Sequence, residues 1–186
     1  LDTLTFDTVL TSHGPVLTKG CMLEYAMEKY REWSTPVFRE KRLIPIFYTS
    51  AYGHTRALAG AVAKGVSSQV DADIPVLDLI DHDMEELHGL LNGCDAFAVG
   101  SPTINRDAVA PIWNLLAGLD AINCGKKPVA VFGSYGWSGE AVPNISARLA
   151  SLRLNLIGEG LKVNFVPTAQ DLAQAEALGR ELANAL

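Results

Sequence analysis

From residue 43 onward, short apolar runs rich in β-branched and aromatic residues alternate with longer stretches of helical period, and this alternation constrains the fold more than any other feature. Strand-sized runs fall at 43–48, 74–77, 96–100, 128–132 and around 161–166. The first, third and fourth are apolar almost throughout, as expected of strands covered by helices on both faces. Between and after them, Leu58, Ala61, Val62, Gly65 and Val66 form one helical stripe, and Leu172, Ala175, Leu178, Leu182 and Leu186 form another. Five βα units predict an α/β fold: a doubly wound, five-stranded parallel sheet in the order 2-1-3-4-5, with helices on both faces. Two dinucleotide-binding halves would need more strands. In such a sheet a ligand sits beyond the carboxyl ends of the strands.

Residues 1–42 carry six basic and six acidic side chains, whereas 43–186 carry nine basic and fifteen acidic ones. The change follows Ser34, Thr35 and Pro36 and the polar run Arg39, Glu40, Lys41 and Arg42, which predicts a boundary between units 1–42 and 43–186. With 48% apolar residues the 186-residue chain is expected to be soluble and globular, and its net charge of -6 argues against nucleic acid or an anionic membrane as partner. No stretch approaches the roughly 20 apolar residues that cross a bilayer. The start at Leu1 lacks both an initiator Met and signal-peptide features, and reads as a cut. Cys21, Cys94 and Cys124 are far apart and form no CxxC pair, so a reducing, cytoplasmic setting is expected and Cys94 reads as a small core side chain. Between Asp71 and Asp95 stand eight acidic residues and no basic one. They read as a solvated face with a helix start at Asp81, Asp83, Glu85 and Glu86, or as a docking patch for a basic redox partner.

The first strand end carries Thr49, Ser50, Ala51, Tyr52, Gly53, His54 and Thr55, immediately before a helix. Hydroxyls, a glycine and a helix N-terminus in one turn can surround a phosphate without a lysine. Neither GxxxxGK[ST] nor GxGxxG is present, which argues against ATP, GTP and a dinucleotide. The same residues also serve as ordinary helix caps. The third strand ends in Gly100, Ser101, Pro102, Thr103, Ile104, Asn105, Arg106 and Asp107, and the fourth in Gly133, Ser134, Tyr135, Gly136, Trp137, Ser138, Gly139 and Glu140. A phosphate cradle, a stiff Pro-containing loop and a Gly-rich aromatic loop at neighbouring strand ends suit a planar ring that gains negative charge on reduction. Ser138 is placed to cap the following helix. Taken singly, Pro102 also reads as a turn former and Trp137 as a core residue.

The stretches 48–55, 100–105 and 132–141 closely resemble the C-terminal flavodoxin-like domain of flavodiiron proteins, also called A-type flavoproteins. The resemblance extends over residues 43–186, and Thr11, Ser12, His13, Gly14 and Pro15 with Tyr30, Arg31, Glu32 and Trp33 resemble the tail of that family's metallo-β-lactamase-like domain. It implies FMN as cofactor. Ser50, Tyr52, Gly53, His54 and Thr55, with Thr49 beside them, would cradle its phosphate. Ser101, Pro102, Thr103, Ile104 and Asn105 would flank the ring and ribityl chain, while Ser134, Tyr135, Gly136, Trp137, Ser138 and Gly139 would close over the isoalloxazine. His54 stands where the family's cradle usually has asparagine. His13 would match the last iron ligand, but the HxExDH motif, a further His and the bridging Asp of a diiron site are missing, and His82 and His88, six apart, point in different directions on a helix. The implied role is electron relay from a rubredoxin-like or flavin-reductase donor to the diiron site of a second chain, which reduces oxygen or nitric oxide; the terminal reaction needs the other domain, and no general acid or base is assigned. Two other readings stand: a self-contained NAD(P)H:quinone reductase-like flavoprotein, whose relatives lack the 133–141 pattern, and a flavin-free scaffold.

Overall fold

A computed structural model describes residues 4–35, 39–122 and 124–186, so Pro36 of the expected boundary lies outside the described residues. The chain divides into two compact units, Leu1–Glu40 and Lys41–Leu186. In the first, β1 (Thr8–Val9) pairs antiparallel with β2 (Leu17–Thr18), and α1 (Leu23–Ser34) follows. His13 lies exposed between the two strands. At the start of α1 the Glu24 carboxylate accepts from the Gly20 N–H at 3.0 and 3.1 Å. That bond holds the carboxyl below its usual range.

The second unit runs β3 (Arg42–Leu43), β4 (Ile46–Tyr48), α2 (His54–Ser67), β5 (Ala72–Asp73), β6 (Val76–Asp78), α3 (Met84–Gly93), β7 (Phe97–Pro102), α4 (Ala110–Ala117), β8 (Pro128–Tyr135), α5 (Ala141–Ser151), β9 (Asn155–Asn164) and α6 (Ala169–Asn184). Strands β6-β4-β7-β8-β9 form one five-stranded sheet whose pairs are all parallel, which is the order 2-1-3-4-5. Side chains alternate across it as a pleat requires. Phe47, Phe97, Val99 and Val131 face one core with Leu87, Leu91, Ile112, Leu115, Ile145 and Leu149 of α3, α4 and α5. Ile46, Ala98, Ala130 and Phe132 face the other with Leu58, Val62, Leu178 and Leu182 of α2 and α6.

Helices α2 and α6 cross through a reciprocal glycine contact. A Cβ on Gly65 would lie 2.0 Å from the Glu176 carbonyl oxygen, and one on Gly179 would lie 2.1 Å from that of Val62. Only hydrogen lets the two backbones approach this closely. Two helix starts are fixed by local chemistry: Asp83 accepts from the Glu85 N–H at 2.8 Å, and Thr168 and Asp171 form a reciprocal capping box before α6. The acidic segment therefore contains the helix start expected of it. Cys94 is buried, and burial pushes its thiol up to about 12.

The run expected as one strand at 43–48 splits into β3 and β4, which belong to different sheets, whereas β7 and β8 extend past their apolar runs. β7 continues through Ser101 and Pro102 and β8 through Gly133, Ser134 and Tyr135, because these polar or small residues remain register partners in the ladder. β9 begins at Asn155 and not near 161; Gly158 and Gly160 sit at φ +64° and +84°, with a register shift opposite Ala130 and Phe132. A bulge built on glycines breaks the alternation by which a strand is recognised. Among the described residues, no helix is long and apolar enough to cross a membrane.

Candidate cofactor site

The loops leaving β4, β7 and β8, which are adjacent in the sheet, open onto a cavity of about 700 Å³. Tyr52, His54, Pro102, Thr103, Ile104, Asn105, Ser134, Tyr135, Gly136, Trp137 and Ser138 line it, together with Ala51, Arg106 and Phe165. No carboxylate does so among the described residues.

In the first loop the Thr49 N–H donates to the Gly100 carbonyl at 3.1 Å, which ties the turn to β7. Gly53, at φ +85°, makes the left-handed step into α2. The Arg56 N–H donates to the Ser50 hydroxyl at 3.3 Å, while the first N–H groups of α2 have no acceptor within the helix. Thr55 is almost fully buried, and its hydroxyl lies 2.9 Å from that of Ser134, joining the helix start to the end of β8. The Thr49 hydroxyl is buried without a hydrogen-bond partner among the described residues. A buried hydroxyl left unpaired is costly, and this one stands at the strand end from which the turn leaves. With the helix N-terminus beside it, the turn fits a phosphate.

Arg56 reaches away from the turn: its Nε donates to the Tyr48 hydroxyl at 3.2 Å and its Nη2 to Asp78 at 3.3 Å. Tyr48 and Asp78 are register partners in β4 and β6, so one guanidinium compensates a carboxylate whose side chain is only 3% exposed.

Ser101 is fully buried at the base of the second loop. Its hydroxyl donates to the Pro102 carbonyl at 2.8 Å and accepts from the Val109 N–H at 3.2 Å, so it holds the loop and does not line the cavity. The Thr103 N–H donates to the Ser134 carbonyl at 2.8 Å. Its hydroxyl accepts from the Ala141 N–H at 3.3 Å, so Thr103 supplies the cap of α5 that was expected from Ser138. Ser138 instead bonds the Glu140 carboxylate; with help from the Arg106 and Lys162 charges this keeps that carboxyl below its usual range, against the opposing effect of burial. Beyond Thr103, Ile104 and Asp107 exchange backbone hydrogen bonds of 3.0 and 3.1 Å around Asn105 and Arg106, at φ +53° and +61°. This is a two-residue hairpin turn of the left-handed kind, and a non-glycine residue held so costs about 1 kcal/mol.

In the third loop Trp137 is 97% exposed, which removes its reading as a core residue. Gly139, at φ +73°, has no room for a Cβ, which would lie 2.9 Å from the Tyr135 ring. Phe165, just past β9, packs its ring against Gly136, and its N–H donates to the Tyr135 carbonyl at 2.8 Å. Tyr52, Trp137 and Phe165 thus place exposed aromatic rings on the rim of one cavity. Ala51 and Arg106 stand in the strand-end stretches read from sequence without having been assigned to the site, and Phe165 was missed altogether; it lies at a fifth strand end, where the sheet topology alone directs attention. Elsewhere, the His88 Nε2 lies 3.1 Å from the Asn114 carbonyl oxygen, and no three His, Cys, Asp or Glu side chains among the described residues converge as a metal site.

Residues 46–179 match the flavodoxin family model. The whole chain is 45% identical to the flavo-diiron protein FprA2 of Clostridium acetobutylicum, of which it covers 47%. It is 38% identical to the type A flavoprotein fprA of Rhodobacter capsulatus, covering 43% of it. The crystal structure of the flavodiiron protein from Giardia intestinalis superposes with a TM-score of 0.75 at 26% identity, over 99% of this chain and 45% of that one. The chain therefore belongs to the flavodoxin family, in the form that domain takes in flavodiiron flavoproteins, and the cofactor of that domain is FMN. It spans about half the length of the curated relatives it matches.

Proposed function

We propose that the cavity holds FMN and that residues 41–186 relay electrons between a redox donor and a diiron site carried elsewhere in the parent protein. The observation that carries this reading is the buried, unpaired Thr49 hydroxyl just before the start of α2, together with a ring-sized, aromatic-rimmed cavity that no carboxylate lines among the described residues. Thr49, Ser50, Gly53, His54 and Thr55 hold the phosphate. Thr103, Ile104 and Asn105 flank the ribityl chain and ring, while Tyr52, Tyr135, Gly136, Trp137 and Ser138 cover the isoalloxazine and exclude water. Pro102 stiffens the second loop, and Ser101, Ser134 and Gly139 fix the shape of the site. Bound FMN supplies one- and two-electron transfer.

The first unit is the tail of the metallo-β-lactamase-like diiron domain, with His13 as its one ligand in this chain. Electrons arrive from a rubredoxin-like or flavin-reductase donor in the cytoplasm and pass to the irons of a second chain, which reduce oxygen or nitric oxide. The chain itself transfers electrons only.

Equilibrium titration of flavin-free protein with FMN, riboflavin and FAD tests the assignment. Two charge-assisted hydrogen bonds to phosphate contribute about 3 kcal/mol or more, so riboflavin is expected to bind about a hundredfold more weakly than FMN. Equal affinities would overturn the cradle, and a preference for FAD coupled to NAD(P)H:quinone turnover would favour the quinone-reductase reading.

A further inference from the structure

We propose that Arg106 is an electrostatic residue of the flavin site, whose guanidinium on the cavity rim favours reduced, anionic FMN over the oxidised, neutral ring. The inference rests on FMN occupying the cavity and concerns a residue that no cradle motif includes. Among the described residues, Arg106 is the only Lys or Arg that lines the cavity.

Its place is built, not incidental. Arg106 is the second central residue of the tight hairpin turn closed by Ile104 and Asp107, a position that glycine fills without strain, yet here a long cationic side chain stands at φ +61°. The turn is pinned from α5: the Asn144 side-chain amide donates to Asp107 Oδ1 at 2.9 Å and to the Arg106 carbonyl at 3.5 Å. The charge is not consumed by a tight ion pair. Glu140 is 3.9 Å away, bonded instead by Ser138, and the Arg106 side chain is 87% exposed.

Reduction by a low-potential donor adds two electrons and one proton to a neutral ring and leaves one net negative charge on it. A positive charge nearby binds that product more tightly than the starting ring. Glu140, which does not line the cavity and stands 3.9 Å from the Arg106 Nε, partly offsets the effect.

The test measures the two-electron midpoint of FMN on wild type, Arg106→Gln and Arg106→Lys, by reductive titration against reference dyes, with free FMN in parallel. Loss of the charge is expected to lower the ratio of reduced to oxidised affinity about fivefold, a downward shift of about 20 mV, and Lys is expected to restore most of it. A midpoint unchanged in Arg106→Gln, or one lowered equally in Arg106→Lys, overturns the inference while leaving the flavin site intact. Failure of the wild type to bind FMN at all overturns the site assignment and the inference together.

Discussion

Ser50→Asp is expected to strip FMN from the protein while leaving the fold in place. The Ser50 hydroxyl accepts the Arg56 N–H at the start of α2, and an aspartate in the same position can accept that bond equally well. Its charge also favours the helix N-terminus, so thermal unfolding should change by no more than a few degrees. Toward a phosphate the same carboxylate is repulsive. One negative charge against two at about 4 Å costs about 2 kcal/mol even in bulk-water dielectric, a loss of at least about thirtyfold in affinity. Flavin fluorescence titration and a melting curve on one sample separate the two effects. Retention of FMN at wild-type affinity would mean that the phosphate lies elsewhere.

Gly179→Ala is expected to destabilise the protein by about 3 kcal/mol, lowering the melting temperature by about 10 °C. The new methyl would meet the Val62 carbonyl at 2.1 Å, and backbone on both sides leaves no flexible side chain to yield. Gly60→Ala is the control within the same helix pair. Gly60 lies on the exposed side of α2 with nothing within 4 Å of its added Cβ, so this change should be neutral or stabilising by up to about 1 kcal/mol. Equal behaviour of the two variants in chemical denaturation would show that α2 and α6 do not cross where the two glycines meet.

The core strands were legible because their apolar runs carry their own signal: Phe47, Val99 and Val131 lie where burial on both faces demands them. The edge strand β9 was legible only in its second half, since Gly158 and Gly160 spend its first half on a bulge. In the site, motifs local in sequence translated into loops at the anticipated strand ends. What stayed hidden was non-local. Thr103 caps a helix that begins 38 residues later, because β7 and β8 are neighbours and not because any spacing announces it. Phe165 reaches the cavity from the fourth strand end that borders it, and Arg106 enters it through a turn whose backbone hand the side chain does not advertise. Taken singly Trp137 also reads as a core residue, whereas its place among the three loops points to ring contact; its exposure removes the first reading.

The most direct test of the account is the visible absorption spectrum of the purified chain, with the chromophore released, separated and quantified. An oxidised-flavin spectrum and FMN at about one equivalent per chain are expected. FAD in its place, or a colourless protein that takes up no FMN on incubation, would contradict it.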